Sequence, residues 1–145
     1  MSSSQPSRGR ALGLDLGDAR IGVAISDADR RVAVPLGTVP AGAPQDLKAI
    51  RNLVAEHGVS VVVVGHPISM SGARGARAQQ SEEFAGALRA VLAVPVELHD
   101  ERLSTVQADR ALREAGASGR QRRRAVDRSA ATIILQAWLD RASRS

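Results

Sequence analysis

The chain has 145 residues and a formal net charge of +5, and this length suits a single domain with a buried core. Apolar residues make up 43% of it, and no apolar run is long enough to cross a membrane. The absence of cysteine excludes disulfides and thiolate metal sites and favours a cytoplasmic protein. Residues 1–10 lack the apolar core of a secretory signal, so we expect a disordered tail followed by one domain over residues 11–142.

The first predicted elements form a β-hairpin around Asp15. Apolar and small residues alternate over residues 11–16, and the alternation restarts at Ile21 after a turn at residues 17–20. Asp15 therefore points from a strand into a space bordered by small neighbours. Burying this carboxylate costs free energy unless an arginine, a metal ion or another cation pairs with it. The alternative is an edge strand on which Asp15 faces water.

The following elements predict an α/β domain. We expect a third strand over residues 31–39 and a helix that Asp46 caps and that ends before Gly58. The valine-rich segment 59–65 predicts a strand covered on both faces, as in a parallel sheet. After a mobile loop at residues 66–77, we expect a helix over residues 78–92, a strand over 95–99, a helix over 104–116, a basic connection over 117–124 and a final helix over 125–142.

The inward faces of two of these helices can be read from their spacing. In the helix over residues 78–92 the inward residues are predicted to be Phe84, Leu88, Val91 and Leu92. In the final helix they are predicted to be Ala131, Ile134, Leu135, Trp138 and Leu139. The order β-β-β-α-β-α-β-α-α implies a mixed five-stranded sheet with helices on both faces.

Three acidic residues are candidates for one catalytic site: Asp15, Glu101 and Asp127. Asp15 and Glu101 lie at strand ends, and sites in such sheets gather at the carboxyl ends of parallel strands. The helical spacing from Asp127 to the inward residues of the last helix predicts that Asp127 faces the sheet. Each residue also has a simpler interpretation, because Glu101 could pair with Arg102 or Arg20 and Asp127 could open a helix.

Three converging carboxylates would repel one another, and a divalent cation would relieve this repulsion. Ligation by carboxylate oxygen suits Mg²⁺ or Mn²⁺, with Asp100 beside Glu101 as an additional candidate ligand. Two such ions could activate a water and stabilise the leaving oxygen of a phosphodiester. The pattern therefore predicts metal-assisted phosphodiester hydrolysis.

Positive charge is concentrated near the last two of these acids. Eight arginines stand against three acidic residues between Arg102 and Arg128, a net of +5 for this segment. This predicts a polyanionic partner, and the alternative is a solvated helical face. Because aromatic residues are nearly absent, contacts to backbone phosphates are expected rather than base stacking. The candidate nucleic-acid-binding residues are Arg20, Arg74, Arg77, Arg102, Arg120, Arg122, Arg123 and Arg124.

The acids lie within a series of short motifs: Leu14-Asp15-Leu16-Gly17 with residues 20–24, residues 63–67, Asp100-Glu101-Arg102-Leu103-Ser104-Thr105, and Val126-Asp127 followed by Ala130-Ala131 and Ile134-Leu135-Gln136. In this order the motifs resemble the YqgF/RuvX family over about residues 11–140. The resemblance implies the ribonuclease H-like fold of the RuvC resolvases and catalytic carboxylates at Asp15, Glu101 and Asp127. Two positions depart from the family: His66 replaces a usual leucine, and Ser69-Met70-Ser71-Gly72 replaces a usual Asn-Met-Asp-Gly.

Members of that family are described as pre-16S rRNA nucleases and formerly as Holliday junction resolvases. The resemblance implies a hydrolase that uses Mg²⁺ or Mn²⁺ to process the 5′ end of 16S ribosomal RNA during ribosome biogenesis, with structured RNA or a ribosomal particle as its partner. The alternative is a resolvase acting on branched DNA, which would need a homodimer presenting two sites.

Three further possibilities follow from single features of the sequence. A binding module without catalysis is disfavoured because all three acids are present. The D-x-G hairpin also occurs as the phosphate loop of actin/hexokinase-type ATPases, but those proteins need two such domains. His66, at the end of the valine-rich strand, is a candidate for binding substrate or metal.

Overall fold

The computed structural model describes residues 8–106 and 129–144. Its elements are β1 (Arg10–Leu16), β2 (Arg20–Ser26), β3 (Ala33–Pro40), α1 (Gln45–His57), β4 (Val59–His66), α2 (Ala76–Val91), β5 (Val96–Asp100), a 3₁₀ turn (Glu101–Leu103) and α3 (Ala130–Ser143). The strands form one sheet in the order β3-β2-β1-β4-β5. The β1–β2 and β2–β3 pairs are antiparallel, and β4 is parallel to both β1 and β5. This confirms the predicted mixed sheet of five strands.

Alternation along the strands gives the sheet two apolar faces. Leu12 and Leu14 of β1 pack with α1 and α2, whereas Ala11 and Gly13 point toward α3. The valines at 61–64 in β4 alternate between the same two faces and are all buried. Helices therefore cover both faces, as the sequence predicts, because each face presents its own row of apolar side chains.

Helix α3 approaches β1 closely because Gly13 has no side chain. A Cβ atom at Gly13 would lie 2.7 Å from Leu135 Cβ and 3.1 Å from the Ala131 carbonyl oxygen. Trp138 is only partly buried, and its indole nitrogen donates a hydrogen bond to Glu97 Oε1 at 3.2 Å. The other predicted inward residues of α3 are buried: Ala131, Ile134, Leu135 and Leu139.

The first strand begins one residue earlier than predicted. β1 starts at Arg10, and the Arg30 side chain donates hydrogen bonds to the carbonyl oxygens of Gly9 at 3.0 Å and Arg8 at 3.1 Å. The last three residues of the predicted tail are therefore held against the sheet, and residues 1–7 lie outside the described part of the chain. The third strand differs in the opposite direction. β3 begins at Ala33, two residues later than predicted, and it includes Pro40.

The prediction that Asp46 caps α1 was wrong. Pro44 occupies the N-cap position, and Asp46 is the second residue of the helix. Its buried carboxylate accepts a hydrogen bond from the Gly42 backbone nitrogen at 3.0 Å. Asp46 therefore ties the preceding loop to the helix instead of closing its first turn.

Helix α2 begins at Ala76 instead of residue 78, and the prediction that Val91 faces the core was wrong. Val91 is 39% exposed. The buried residues of α2 are Ala78, Ser81, Ala85 and Leu88. Continued at helical spacing, this stripe reaches Leu92 and not Val91.

Helix α3 begins at Ala130, so the predicted start near residue 125 was wrong. Ser129 has extended backbone angles, and its side chain accepts a hydrogen bond from the Thr132 backbone nitrogen at 3.1 Å, which makes it the N-cap. The helical spacing that orients Asp127 toward the sheet therefore does not hold, because Ser129 is not helical. Asp127, the predicted basic connection and the predicted 104–116 helix beyond Val106 lie outside the described residues.

No helix within the described ranges has the length and apolar character needed to cross a lipid bilayer.

Candidate active site

The carboxyl ends of β1, β4 and β5 meet at one edge of the sheet because these three strands are parallel. Asp15 lies near this end of β1, and Glu101 follows directly after β5. Asp15 is partly buried, whereas Glu101 is only 2% exposed. The two residues thus lie at the same edge, where ligands of such sheets bind.

The carboxyl group of Glu101 packs against the backbone of Gly65 in β4. A Cβ atom at Gly65 would lie 2.7 Å from Glu101 Oε2 and 2.6 Å from Ile134 Cδ1. Glu101 therefore fills the volume that a side chain at position 65 would take. Because Ile134 belongs to α3, this volume lies on the face of the sheet that α3 covers.

Asp15 points to the same face of the sheet. It pairs with Gly22 across the hairpin, and a Cβ atom at Gly22 would lie 3.8 Å from Asp15 Cβ and 3.7 Å from Ala131 Cβ in α3. Extending the β1–β4 register by one residue sets Asp15 beside Gly65, with about 4.8 Å between neighbouring strands. Asp15 and the Glu101 carboxyl group thus occupy neighbouring positions on one face.

The third predicted acid, Asp127, lies outside the described residues. Over residues 8–106 and 129–144, no three acidic or histidine side chains form a group that could hold a metal ion. The Asp15–Glu101 pair offers carboxylate oxygens, the ligands that Mg²⁺ and Mn²⁺ prefer. Ala131, four residues after Asp127 in the sequence, lies near Gly22, the residue that pairs with Asp15 across the hairpin.

The Asp100 carboxylate forms hydrogen bonds and an ion pair with Arg102, two residues later in the chain. Its carboxylate accepts hydrogen bonds from Arg102 Nη2 at 2.7 Å, from Nε at 3.0 Å and from the Arg102 backbone nitrogen at 2.9 Å. The side-chain bonds to Arg102 hold the pKa of Asp100 below its ordinary value. Arg102 therefore forms an ion pair with Asp100. The simpler interpretation from the sequence was an ion pair between Arg102 and Glu101.

The other predicted phosphate-binding residues differ in how they are placed. Arg20 is exposed at the start of β2. Arg77, in the first turn of α2, is also exposed, with Nη2 3.6 Å from Asp18 Oδ2. Arg74 pairs with a glutamate of α2. The remaining candidates lie outside the described residues: Arg120, Arg122, Arg123 and Arg124.

That glutamate, Glu82, joins the end of β4 to the loop that follows it. His66 Nε2 lies 2.7 Å from Glu82 Oε2, and Arg74 donates to both carboxylate oxygens, with Nε 2.7 Å from Oε2. The bonds from Arg74 and then His66 lower the pKa of Glu82 from 4.5 to about 2. The sequence pattern does not identify Glu82 as a site residue. Its partners, His66 at the end of β4 and Arg74 in the following loop, have no regular spacing from it. The structure thus gives His66, the departure from the family pattern, a carboxylate partner.

We expect Glu82→Gln to lower the melting temperature at neutral pH, because the charged partner of Arg74 and His66 is lost. A carboxylate with a lowered pKa in the folded state stabilises the fold above its unfolded pKa. This contribution disappears as the pH falls from about 4.5 toward about 2. Thermal unfolding followed by circular dichroism over this range should show the two melting temperatures converging as the pH falls.

Glu83→Gln is the matched control, since Glu83 is the next residue of α2 and is exposed. It should leave the melting temperature close to that of the wild type. A Glu82→Gln difference that stays constant from pH 7 to pH 2.5 would contradict the assigned role of the carboxylate charge.

Comparison with known proteins places the chain in a family. A family model described as "RuvX: Holliday junction resolvase" matches residues 9–141. A protein of Chloroflexus aggregans is 50% identical over 130 residues, covering 89% of this chain and 92% of that protein. One of Anaeromyxobacter dehalogenans is 47% identical, covering 91% of this chain and 97% of that protein. Both carry the name "Putative pre-16S rRNA nuclease".

The fold also resembles a solved structure. The structure described as "T. thermophilus RuvC in complex with Holliday junction substrate" superposes with a TM-score of 0.52 at 16% identity, covering 92% of this chain and 95% of that chain. At this identity the likeness concerns the fold, which is ribonuclease H-like. The family resemblance seen in the motifs is confirmed. The chain therefore belongs to the RuvX family.

Proposed function

We propose that this chain is a divalent-metal-dependent nuclease that hydrolyses phosphodiester bonds at the 5′ end of precursor 16S rRNA. The observation that carries the proposal is the packing of the Glu101 carboxyl group on Gly65, on the same face and edge of the sheet as Asp15. The names of relatives that are 43–50% identical over most of the chain support the choice of substrate.

Asp15, Glu101 and Asp127 are the proposed ligands of Mg²⁺ or Mn²⁺. Two carboxylates at neighbouring positions repel each other, and bringing a cation between them removes this cost. When bound, the ions would supply an activated water and neutralise charge at the leaving oxygen. Asp100 is less suited to ligation because both of its oxygens already accept hydrogen bonds from Arg102.

The exposed arginines would bind the substrate through its phosphates. Arg77 and Arg20 both lie close to the Asp15 edge of the sheet, and Arg77 is only weakly paired with Asp18. Contacts of this kind fix the position of a strand without reading its sequence. The arginines proposed to extend this surface are Arg102, Arg120, Arg122, Arg123 and Arg124.

A resolvase acting on branched DNA is the second candidate. The description of the matching family model and the RuvC fold favour it. Cleaving a four-way junction symmetrically requires two sites, so this function would need a homodimer. A nuclease acting on precursor rRNA has no such requirement.

A competition experiment separates these functions. Wild-type protein with Mg²⁺ or Mn²⁺ is given a labelled precursor 16S rRNA fragment and a labelled four-way DNA junction, and kcat/KM is measured for each. We expect faster cleavage of the RNA. Faster cleavage of the junction by a dimeric species would favour the resolvase, and cleavage of neither substrate would contradict the nuclease proposal.

A further inference from the structure

A narrow cleft lies beside Glu101, between the β1–β2 turn and the first turns of α2. The residues that matter for its chemistry are Asp18 in the turn, Arg77, Gln80 and Ser81 in α2, and Glu101 in its wall. Its volume is about 40 Å³. About 10–15 Å³ of such space is enough to hold one water molecule, so the cleft admits small polar groups of the size of a few waters.

Ser81 supplies the second observation that points to a ligand. Its side chain lines the cleft although the residue is only 2% exposed. Within the described ranges, no group forms a hydrogen bond with the Ser81 hydroxyl. Because this hydroxyl faces the cleft and can both donate and accept, it is available to a polar group that enters there.

The groups around the cleft match a hydroxyl better than they match an ion. The Ser81 hydroxyl can both donate and accept, and the Gln80 amide has two donors and an acceptor. A sugar hydroxyl also donates and accepts, so it can bond both side chains at once. Arg77 lies at the mouth, where it can contact a phosphate outside the cleft.

We propose that this cleft binds the 2′-hydroxyl of the nucleotide on the 5′ side of the cleaved bond, so that Ser81 and Gln80 select RNA over DNA. The inference rests on the proposed nuclease function. In a ribonucleotide the 2′-hydroxyl and the 3′-phosphate are on adjacent carbons of one sugar. A phosphate held at the Asp15–Glu101 edge therefore brings its neighbouring 2′-hydroxyl next to Glu101, where the cleft lies. This hydroxyl is the group by which proteins distinguish RNA from DNA.

The test combines two substrates with four proteins in the presence of Mn²⁺ or Mg²⁺. One substrate is an RNA oligonucleotide that the wild type cleaves, and the other differs only by a 2′-deoxy sugar at the nucleotide 5′ to the cleaved bond. The proteins are the wild type, Ser81→Ala, Gln80→Ala and the control Gln79→Ala, an exposed glutamine next along α2. Thermal unfolding checks that each variant is folded.

For the wild type, we expect the 2′-deoxy substitution to lower kcat/KM by about 10- to 100-fold. Ser81→Ala and Gln80→Ala should lower kcat/KM on the RNA but leave the rate on the 2′-deoxy substrate unchanged, whereas Gln79→Ala should match the wild type. Equal wild-type rates on both substrates, or an equal loss by Ser81→Ala on both, would overturn the role of the cleft while leaving the nuclease function intact. Cleavage of neither RNA nor DNA by the wild type would overturn the proposed function, and this inference with it.

Discussion

Replacing Asp15 with asparagine is expected to lower kcat for phosphodiester cleavage by about a thousandfold or more. Asparagine keeps the size and shape of the side chain, so the hairpin and its packing beneath α3 should persist. What changes is the charge, because a neutral amide oxygen is a much weaker ligand for a divalent cation than a carboxylate. Single-turnover cleavage of the precursor RNA with Mg²⁺ or Mn²⁺ measures the loss.

A second measurement on Asp15→Asn does not depend on activity. Without divalent cations, the variant should melt at the same temperature as the wild type or higher, since one of two neighbouring like charges is gone. Added Mn²⁺ should raise the melting temperature of the wild type but not that of the variant, because only a bound ligand stabilises the folded state.

Asp29→Asn makes the same chemical change at an exposed position away from the sheet edge and should behave as the wild type in both assays. If Asp15→Asn cleaves as fast as Asp29→Asn, Asp15 is not part of the catalytic site.

Gly65→Ala is expected to reduce both stability and activity, although it adds only one methyl group. The new Cβ atom would lie 2.7 Å from Glu101 Oε2 and 2.6 Å from Ile134 Cδ1, closer than such atoms can approach. Both contacts are with the ends of side chains, so the Ile134 side chain must shift and the Glu101 carboxyl group is displaced. Overpacking of this kind costs about 1–3 kcal/mol of unfolding free energy. A shift of about 1 Å in a catalytic group can lower kcat by about a hundredfold.

Gly86→Ala is the matched control for this substitution. Gly86 is exposed in the interior of α2, and a Cβ atom there would have no neighbour within 4 Å. Alanine is the better helix former by about 1 kcal/mol, so this variant should be slightly more stable than the wild type and equally active. Equal activity of Gly65→Ala and Gly86→Ala would show that cleavage does not depend on where Glu101 is held.

The sheet could be predicted from the sequence because its signals are local. Alternation over residues 11–16 and again from Ile21 needs only neighbouring residues to be recognised as a hairpin, and the continuous valines of β4 mark a strand with no polar face. Helix boundaries were less accurate. The start of α3 depends on the hydrogen bond that the Thr132 backbone nitrogen donates to the Ser129 side chain. Helix α1 begins after Pro44, and the Asp46 carboxylate accepts a hydrogen bond from Gly42 in the loop before it.

In the candidate site, too, some features could be predicted from the sequence and others could not. Sequence patterns place Asp15 and Glu101 at strand ends, and the parallel arrangement of β1, β4 and β5 brings those ends to one edge. The pairing of Asp100 with Arg102 and of Glu82 with His66 and Arg74 could not be predicted. These contacts depend on which rotamers point toward one another after folding, and periodicity carries no information about rotamers.

By itself, the sequence determined the mixed sheet, the helices on both of its faces, the strand-end positions of Asp15 and Glu101, and the family. These follow from the spacing of apolar side chains and from short motifs, which are properties of neighbouring residues. Only the tertiary structure decided that Gly65 leaves room for the Glu101 carboxyl group and that Ser81 lines a cleft beside it. The physical reason is that such volumes are bounded by atoms from several elements, so they exist only once α2, α3 and the sheet have packed together.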